Sequence, residues 1–388
     1  MITRTPKYHD EFKCIASECK DNCCCGGWLI ELDEATAEYY RTLEGEFGEK
    51  LKSSLMTDED GDICFKLTDN RCPHLADNGL CSVCCELGEE HMGVVCKEFP
   101  RYTISFSNVT EKGIGLACEE AARIILSDDG FLLTESGECF ESQQTDIAKD
   151  EQDWQIAEDF EEEEDTGWIE EMLSARNEIF AILSDRTKTV FQRMAEILQF
   201  SYDFQEQING EDGGKRKSQE DFTEEFDVNG NFDIKGNFEL LTDIFDNLEL
   251  LNDKWQDVSV LIREKLFKGT DKEAFKDALH MSANDIGGRV FENLMNYFVF
   301  RYFMKAVWDY NPFDKIRFAV CSCIIIWEMF TAAQLKKGEA LTDWDMIQLV
   351  KIFSRQVEYS EENVEAVCEE FLFGDDFDVD RLIAMVLV

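Results

Sequence analysis

The feature that most constrains this chain is its uneven distribution of cysteine. The chain has 388 residues and 16 cysteines, and thirteen of the sixteen lie between Cys14 and Cys139. The densest stretch, CIASECKDNCCCGGW (Cys14–Trp28), contains five cysteines, three of them consecutive. Cysteines clustered in this way are disulfide partners, metal ligands or reactive groups, and the rest of the sequence must decide among the three.

The N-terminal sequence argues against disulfides. MITRTPKYHDEFKC has no apolar segment of the kind that a secretory signal needs. The most apolar stretch, FAVCSCIIIWEMF (Phe318–Phe330), is too short for a membrane span of ~20 residues and contains Glu328, so it predicts a buried helix. We therefore expect a cytoplasmic protein with no membrane association, in a compartment that keeps thiols reduced. Metal or redox chemistry is then the better interpretation of the cysteines.

The charge of the chain restricts its partners. The formal net charge is -45 at pH 7, with 44% hydrophobic residues. A folded protein of that charge repels nucleic-acid phosphates and anionic lipid, so no nucleic-acid partner is expected. It attracts basic surfaces, including protein substrates that carry lysine, although solubility alone would also explain the acidity. The sequence gives no indication of an oligomeric state.

The composition divides the chain into regions. Residues 1–140 hold most of the cysteines between turn signals, which predicts a small domain with few short strands. Residues 141–166 are strongly acidic and predict a linker. Residues 167–388 repeat apolar side chains at helical spacing, apart from a polar, glycine-rich insert at 210–237 that we expect to be flexible. The prediction is an α+β fold in which the cysteine-rich domain packs on a larger, mostly α-helical domain.

Local patterns predict particular elements of the first region. WLIEL (Trp28–Leu32) and DICFKL (Asp62–Leu67) alternate like short strands, and Asp33 is placed to cap a following helix. The pair Asn78-Gly79 predicts a hairpin-type turn. GLACEEAARIIL (Gly115–Leu126) has the apolar stripe of a helix.

The spacing of the cysteines favours metal binding and leaves the metal open. Short spacings let a tight loop direct several thiolates at one ion or cluster, and thiolate suits zinc or iron–sulfur centres. The spacing C-x2-C typical of structural zinc occurs once, at Cys81 and Cys84, without a second pair. The triplet C-x3-C-x2-C is absent because position 26 is glycine. Spacing alone gives a slight preference for iron–sulfur over zinc.

Several blocks of sequence resemble the bacterial flagellin lysine N-methylase (FliB) family. They also share the cysteine pattern of the zinc- or iron-chelating YkgJ proteins. The blocks are FKCIASECKDNCC (Phe12–Cys24), Cys72-Pro-x-Leu followed by Cys81, Cys96-x-x-Phe-Pro-Arg, GLACEEAARIIL with Cys118, ELGEE (Glu86–Glu90), NYFVFRYFMKAVWD (Asn296–Asp309) and VEYSEENVE (Val357–Glu365). The resemblance covers nearly the whole chain, and the ordered set is more specific than one cysteine cluster.

The resemblance implies a methyltransferase that acts on lysine ε-amines of flagellin. It implies S-adenosylmethionine as methyl donor and a 4Fe–4S cluster held by cysteines, with zinc as the alternative metal. The ligands carried over residue by residue are Cys14, Cys19, Cys23, Cys24, Cys72, Cys81, Cys96 and Cys118. Eight exceed the four that one cluster needs, so some are supporting thiols or ligands of a second metal.

The resemblance assigns neither a catalytic base nor the donor-binding residues. Glu119, Glu120, Tyr102 and Tyr302 are candidate bases, and each is equally readily a surface acid or a packed aromatic. His74 lies among the ligands and could replace a cysteine, although packing is commoner for such a histidine. A non-enzymatic metal-binding or redox-sensing protein is therefore the alternative function.

Two departures from the family pattern affect the metal site. Three cysteines, not two, precede Gly26-Gly27-Trp28, so the binding pair is Cys23-Cys24 or Cys24-Cys25. Gly93 stands where a family cysteine is expected before Cys96. Cysteines without a placed counterpart are interpreted as incidental or core thiols, and these are Cys84, Cys85, Cys139, Cys321, Cys323 and Cys368.

Overall fold

The computed structural model describes residues 2–26, 28–58, 61–137, 166–210, 232–373 and 377–388. These residues form two compact units. One contains the described residues of 2–124 and 132–137, and the other contains 125–131 and those of 166–388. The first unit mixes strands and short helices, and the second is helical, so the predicted α+β fold is confirmed. Most of the predicted linker at 141–166, most of the predicted insert at 210–237, and Cys139 lie outside the described residues.

The first unit contains a four-stranded sheet. Its strands are β1 (Ile2–Pro6), β4 (Arg101–Phe106), β5 (Val109–Ile114) and β6 (Leu133–Gly137), in the order β4-β5-β1-β6. β1 lies between two strands from far along the chain, parallel to β5 and antiparallel to β6. The β4–β5 hairpin turns at Ser107, which has a φ of 51°. A smaller antiparallel pair consists of β2 (Leu55–Thr57) and β3 (Ile63–Phe65).

Four short helices border a separate core in this unit, α1 (Glu34–Thr42), α2 (Gly45–Ser54), α3 (Ser82–Leu87) and α4 (Val94–Glu98). A fifth helix, α5 (Glu119–Leu126), begins in this unit and ends in the other. Asp33 caps α1 through a hydrogen bond from the Thr36 N–H at 2.8 Å, which confirms the predicted cap. Tyr40 of α1, Leu51 of α2 and Phe65 of β3 are buried together.

The prediction of a strand at Trp28–Leu32 is wrong. The segment makes one isolated bridge, between Glu31 and Cys64. Its partner β3 is only three residues long, so the ladder ends after the backbone bonds from the Leu32 N–H to Ile63 O (2.8 Å) and from the Phe65 N–H to Ile30 O (3.0 Å).

The predicted turn and helix in the later part of the unit are confirmed. Leu75 and Cys81 form an antiparallel bridge around the turn, where Gly79 has a φ of +79°. That positive φ suits glycine because it has no side chain. The helix predicted over Gly115–Leu126 begins later, at Glu119, and its residues Ala121 and Ile124 are buried.

The second unit is an assembly of helices. They are α6 (Thr166–Ser184), α7 (Val190–Ile208), α8 (Ile234–Asp246), α9 (Asp253–Ile262), α10 (Lys272–Ile286), α11 (Gly288–Tyr302), α12 (Ala306–Asp309), α13 (Pro312–Lys337), α14 (Asp343–Val357), α15 (Glu361–Phe373) and α16 (Val379–Val386). A π-helical turn at Arg263–Phe267 continues α9. The end of the predicted insert is helical where it is described, since α8 begins at Ile234.

The central helix of this unit is α13. It contacts α7, α10, α11, α14 and α15, and the apolar stretch Phe318–Phe330 within it is wholly buried, as predicted. Asn311 caps its N-terminus, Pro312 occupies its first turn and Gly338 ends it in the left-handed region. It is long and apolar enough for a membrane span, but nearly all of its residues pack inside the unit. Its hydropathy therefore follows from its central position.

Candidate metal centre

Glu119 fixes the cysteine-rich loop that begins at Cys14. Its carboxylate Oε2 accepts the backbone N–H groups of Lys20 at 3.0 Å and Asp21 at 2.9 Å. The Cys19 thiol donates to the same oxygen at 3.4 Å. Glu119 is the first residue of α5 and is buried. A carboxylate proposed as a catalytic base is therefore an anchor for the loop.

The three consecutive cysteines form a single 3-10 turn. Asn22 caps it, and its Oδ1 accepts the Cys24 N–H at 2.9 Å. A hydrogen bond with Cys23 raises the pKa of the Cys24 thiol far above its usual range, with burial as the second cause. Cys25, in contrast, is exposed. The turn thus brings the Cys23 and Cys24 thiols together and leaves the third one at the surface.

The second cysteine block is joined to this turn through the backbone. The Cys72 N–H donates to Cys24 O at 2.8 Å, and Cys72 is buried. The bridge between Leu75 and Cys81 closes the following turn, so that Cys81 lies at the start of α3. The two loops therefore present their thiols in one region of the unit.

Cys96 reaches the same region on α4, and Asp33 holds that helix. Asp33 Oδ2 accepts the Val94 N–H at 3.1 Å, while its other oxygen caps α1. These bonds lower the pKa of the Asp33 carboxyl, although burial opposes them. The sequence predicts the capping of α1 by Asp33. It does not predict the hydrogen bond from Asp33 to α4, because that bond joins residues 61 positions apart.

Space, and not backbone conformation, limits the side chain at Gly93. A Cβ at this position would lie 2.7 Å from Leu32 Cδ2, although the backbone φ is an ordinary -58°. A cysteine there would need Leu32 to move. The departure from the family pattern at Gly93 is thus accompanied by close packing of Leu32.

Five thiols affect one another electrostatically, and we call them the inner thiols: Cys23, Cys24, Cys72, Cys81 and Cys96. Burial, with smaller contributions from the charges of Cys81 and Cys23, raises the pKa of Cys72 to about 11. Burial raises the pKa of Cys96 to about 12, with contributions from Cys72, Cys81 and Cys23. A bound cation would relieve this mutual repulsion between thiolates.

The remaining predicted ligands lie beside the inner thiols. Cys118 immediately precedes α5. Burial raises its pKa to about 11, and the charges of Cys23 and Cys14 contribute to that rise. Cys14 is exposed. Burial raises the pKa of Cys84, and the charge of Cys14 is one of the smaller contributions to that rise. Cys19 hydrogen-bonds to Glu119. The structure therefore groups five of the eight predicted residues and places Cys14 and Cys118 next to them.

His74 is held by the core. It is 1% exposed, and its ring lies 4.7 Å from that of Phe65. Ser54 Oγ donates its proton to Leu51 O at 2.6 Å and therefore accepts from His74 Nε2 at 2.8 Å. Burial lowers the pKa of His74 to about 4, so the ring is neutral at pH 7. Packing, the commoner role, describes this histidine.

Neither a disulfide nor a site for one ion occurs among the described residues. The fifteen cysteines in the described part of the chain form no disulfide. Within the same residues, no three His, Cys, Asp or Glu side chains converge closely enough to bind a single metal ion. The inner thiols nevertheless provide an all-sulfur donor set, which suits a cluster whose iron atoms each take a separate cysteine.

The other candidate bases have structural partners. Glu120 pairs with Arg123 at 2.6 Å on the surface of α5. The Tyr102 ring packs over Gly113, where a Cβ would lie 2.3 Å from the tyrosine hydroxyl. Tyr302, in the helical unit, donates to Glu358 at 3.1 Å. Glu358 was not a sequence candidate, although it lies in the VEYSEENVE block that resembles the family.

The helical unit decides the family. Residues 176–386, more than half of the chain, match the model of the FliB lysine N-methylase C-terminal domain. The chain belongs to the FliB lysine N-methylase family. The match lies within the helical unit, and the cysteine blocks of this FliB family member lie outside it.

Relatives of this FliB family member carry related names. A "Lysine-N-methylase" of Salmonella typhimurium (strain LT2) is 32% identical over 139 residues, which cover 34% of each chain. A "Flagellar biosynthetic protein FliU" of Salmonella muenchen is 31% identical over 131 residues, 32% of this chain and 76% of the relative. The chain thus matches about a third of the lysine-N-methylase's length. No solved structure matches it. The likeness to the YkgJ cysteine pattern stays a prediction.

Proposed function

We propose that this chain is a protein-lysine N-methyltransferase that acts on flagellin, with S-adenosylmethionine as the methyl donor. The observation that carries the proposal is the family membership of the helical unit, supported by relatives named for lysine N-methylation and for flagellar biosynthesis. The net charge of -45 is compatible, since an acidic surface attracts a lysine-bearing substrate. The reaction takes place in the cytoplasm on this proposal.

Methyl transfer asks for a neutral lysine amine held in line with the donor. The ε-ammonium first loses a proton to a base or to water. The amine nitrogen then attacks the methyl carbon, and the new N–C bond forms as the S–C bond breaks. Sulfur keeps the bonding electron pair, which gives S-adenosylhomocysteine and a methylated lysine.

The proposed resident cofactor is a 4Fe–4S cluster at the inner thiols. Cys23, Cys24, Cys72 and Cys96 are the ligands that we propose, with Cys81 beside them. Such a cluster would cross-link the loops and carry single electrons. Support comes from the all-sulfur donor set and from the mutual repulsion of these thiolates. Zinc is the alternative, and it would need four of these side chains to converge on one ion.

Co-expression tests the proposed activity. Flagellin is produced with this chain, without it, and with a variant that carries Cys24→Ser, and each flagellin is digested and measured by mass spectrometry. The expected result is mass increments of one methylene unit on lysine, only with the active chain. Unmodified flagellin in the presence of folded, iron-loaded protein would rule out this substrate.

Anaerobic purification tests the proposed cofactor separately. Iron, acid-labile sulfide and zinc are then measured per chain. Iron and sulfide in equal amounts, with a brown colour, are expected for the cluster. A colourless protein with stoichiometric zinc would contradict it and favour the non-enzymatic alternative.

A further inference from the structure

Two tyrosines of α11 converge on one carboxylate at the end of α14. The Tyr297 hydroxyl donates to Glu358 Oε1 at 2.8 Å, and the Tyr302 hydroxyl donates to the same oxygen at 3.1 Å. Glu358 follows the last residue of α14, and its N–H bonds to Ser354 O at 2.9 Å. All of these residues lie inside the family-matched region 176–386.

Arg301 also lies close to Oε1 of Glu358. Its Nη1 donates to the Tyr297 hydroxyl at 2.6 Å and lies 3.4 Å from Glu358 Oε1. The Tyr297 hydroxyl thus accepts a hydrogen bond from Arg301 and donates one to Glu358. Three donors are therefore directed at Oε1.

The second oxygen of Glu358 has no hydrogen-bond partner among the described residues. The Glu358 side chain is 0% exposed, and its Oε2 is buried without a donor. A buried carboxylate oxygen without a donor costs stability, because it has lost its water and gained no partner. The two oxygens thus differ, since Oε1 has donors and Oε2 is an acceptor that lacks one.

The Tyr302 ring of this cluster accepts positively charged neighbours. Arg301 and Lys305 each lie 5.5 Å from the centre of that ring, at the distance of a cation–π contact. The side chains of Arg301 and Lys305 are 15% and 30% exposed, so the cluster lies just beneath the solvent.

We propose that Glu358, with Tyr297 and Tyr302, binds a primary ammonium group at Oε2. Primary ammonium supplies both the N–H donor and the positive charge that this oxygen lacks. Two molecules of the proposed reaction carry one: the substrate lysine, through its ε-ammonium, and S-adenosylmethionine, through its amino acid group. The choice between these two sources rests on the proposed function, whereas the site itself rests on the contacts of Glu358.

Calorimetric titration of the full chain distinguishes the two sources. The probes are N-acetyl-lysine methylamide, which has only the side-chain ammonium, and S-adenosylhomocysteine, which has only the amino acid ammonium. Glu358→Gln keeps the shape of the side chain and removes its charge. We expect it to weaken one of the probes at least about ten-fold, which corresponds to about 1.4 kcal/mol.

Two controls keep the result specific. Glu361→Gln removes a nearby, 60% exposed carboxylate and should leave the affected probe within about two-fold, because its field is screened by water. N-acetyl-norleucine methylamide has the same four side-chain carbons as the lysine probe and no ammonium, so it tests the lysine source on the wild-type chain even if Glu358→Gln fails to fold. Weaker binding of the lysine probe to Glu358→Gln, together with weak wild-type binding of the norleucine analogue, supports the lysine source. Weaker binding of S-adenosylhomocysteine to Glu358→Gln supports the donor source.

The proposal is overturned if folded Glu358→Gln binds both probes as the wild type does, or if the wild type binds neither. If the variant does not fold, equal wild-type affinity for the lysine and norleucine probes, together with no binding of S-adenosylhomocysteine, also overturns it. None of these binding measurements requires flagellin. If flagellin stays unmethylated while Glu358→Gln weakens the binding of a probe, the proposed function is refuted and the ammonium site is still supported.

Discussion

Oε2 of Glu119 accepts the backbone N–H of Asp21 at 2.9 Å, although 98 residues separate the two along the chain. The contact joins the start of α5 to the loop that carries Cys19 and Cys23. Any metal at the inner thiols therefore depends on a carboxylate that is not itself a proposed ligand, in the way that outer groups orient metal ligands in other proteins.

Glu119→Ala is expected to lower the metal content. Two backbone donors would lose their acceptor, at a cost of about 1–3 kcal/mol for each donor left unsatisfied, and the loop would lose its fixed position. Iron per chain after anaerobic reconstitution measures the effect. Glu120→Ala is the matched control, since that neighbour only pairs with Arg123 on the surface. Equal iron in both variants would show that the anchor is unimportant.

Among the three consecutive cysteines, Cys24→Ser should lose the metal and Cys25→Ser should retain it. The Cys24 thiol lies among the inner thiols, whereas Cys25 is exposed. Iron and sulfide content, with the visible absorption spectrum, reports the outcome. Loss of metal in Cys25→Ser would place the binding pair one residue later, at Cys24-Cys25, and contradict the grouping described above.

Gly93→Ala is expected to destabilise the protein by about 1–3 kcal/mol, because the added methyl overpacks against Leu32. The shift in the urea midpoint measures it. Gly130→Ala is the control, since its Cβ would meet only Arg186, at 3.7 Å. Replacing Leu32 by alanine in the Gly93→Ala background should reduce the additional loss, and an additive double variant would argue against the clash.

Glu328→Gln should stabilise the protein at neutral pH. Burial raises the pKa of Glu328 well above 4.5. The Thr242 hydroxyl donates to Glu328 Oε2 at 2.7 Å, which opposes this rise in pKa without cancelling it. The folded state thus holds a proton that the unfolded state releases above about pH 4.5. Stability from Glu328 is complete below that pH and is lost as the pH rises toward the folded pKa.

Urea unfolding at pH 4 and pH 7.5 measures this dependence. The glutamine variant cannot titrate, so it should exceed the wild type at pH 7.5 and approach it at pH 4. A constant difference between the two proteins at both pH values would mean that Glu328 is ionised in the fold. Glu339→Gln, at an exposed surface carboxylate, is the control.

The helices could be predicted because their signal is local. The apolar stretch Phe318–Phe330 predicts a buried helix in any environment, and Asp33 marks the start of α1 within a few residues. The sheet carries no such signal. β1 is the mixed sequence ITRTP, and it becomes a strand only by pairing with Val109–Ile114 and Leu133–Gly137. Strand propensity depends on such partners, so the sequence pattern did not reveal it.

The candidate site was predictable in its thiols and not in its supports. The order of the cysteine blocks indicates which residues assemble, but spacing cannot decide whether Cys23 or Cys25 pairs with Cys24, since burial distinguishes them. Glu119 and Glu358 act through contacts with distant elements. The sequence made Glu119 a candidate base and did not single out Glu358, and only the position of their oxygens reveals these contacts.

The position of β1 in the middle of the sheet has a consequence for biosynthesis. Both of its neighbours are made more than a hundred residues later, which at about 5–20 residues per second leaves the strand without partners for several seconds on the ribosome. The thiols of the first and second blocks emerge during that interval, before the sheet can close. Delivery of the proposed cluster to the nascent chain would therefore compete in time with closure of the sheet, and the order of the two events would decide whether the inner thiols are loaded in an open or a closed protein.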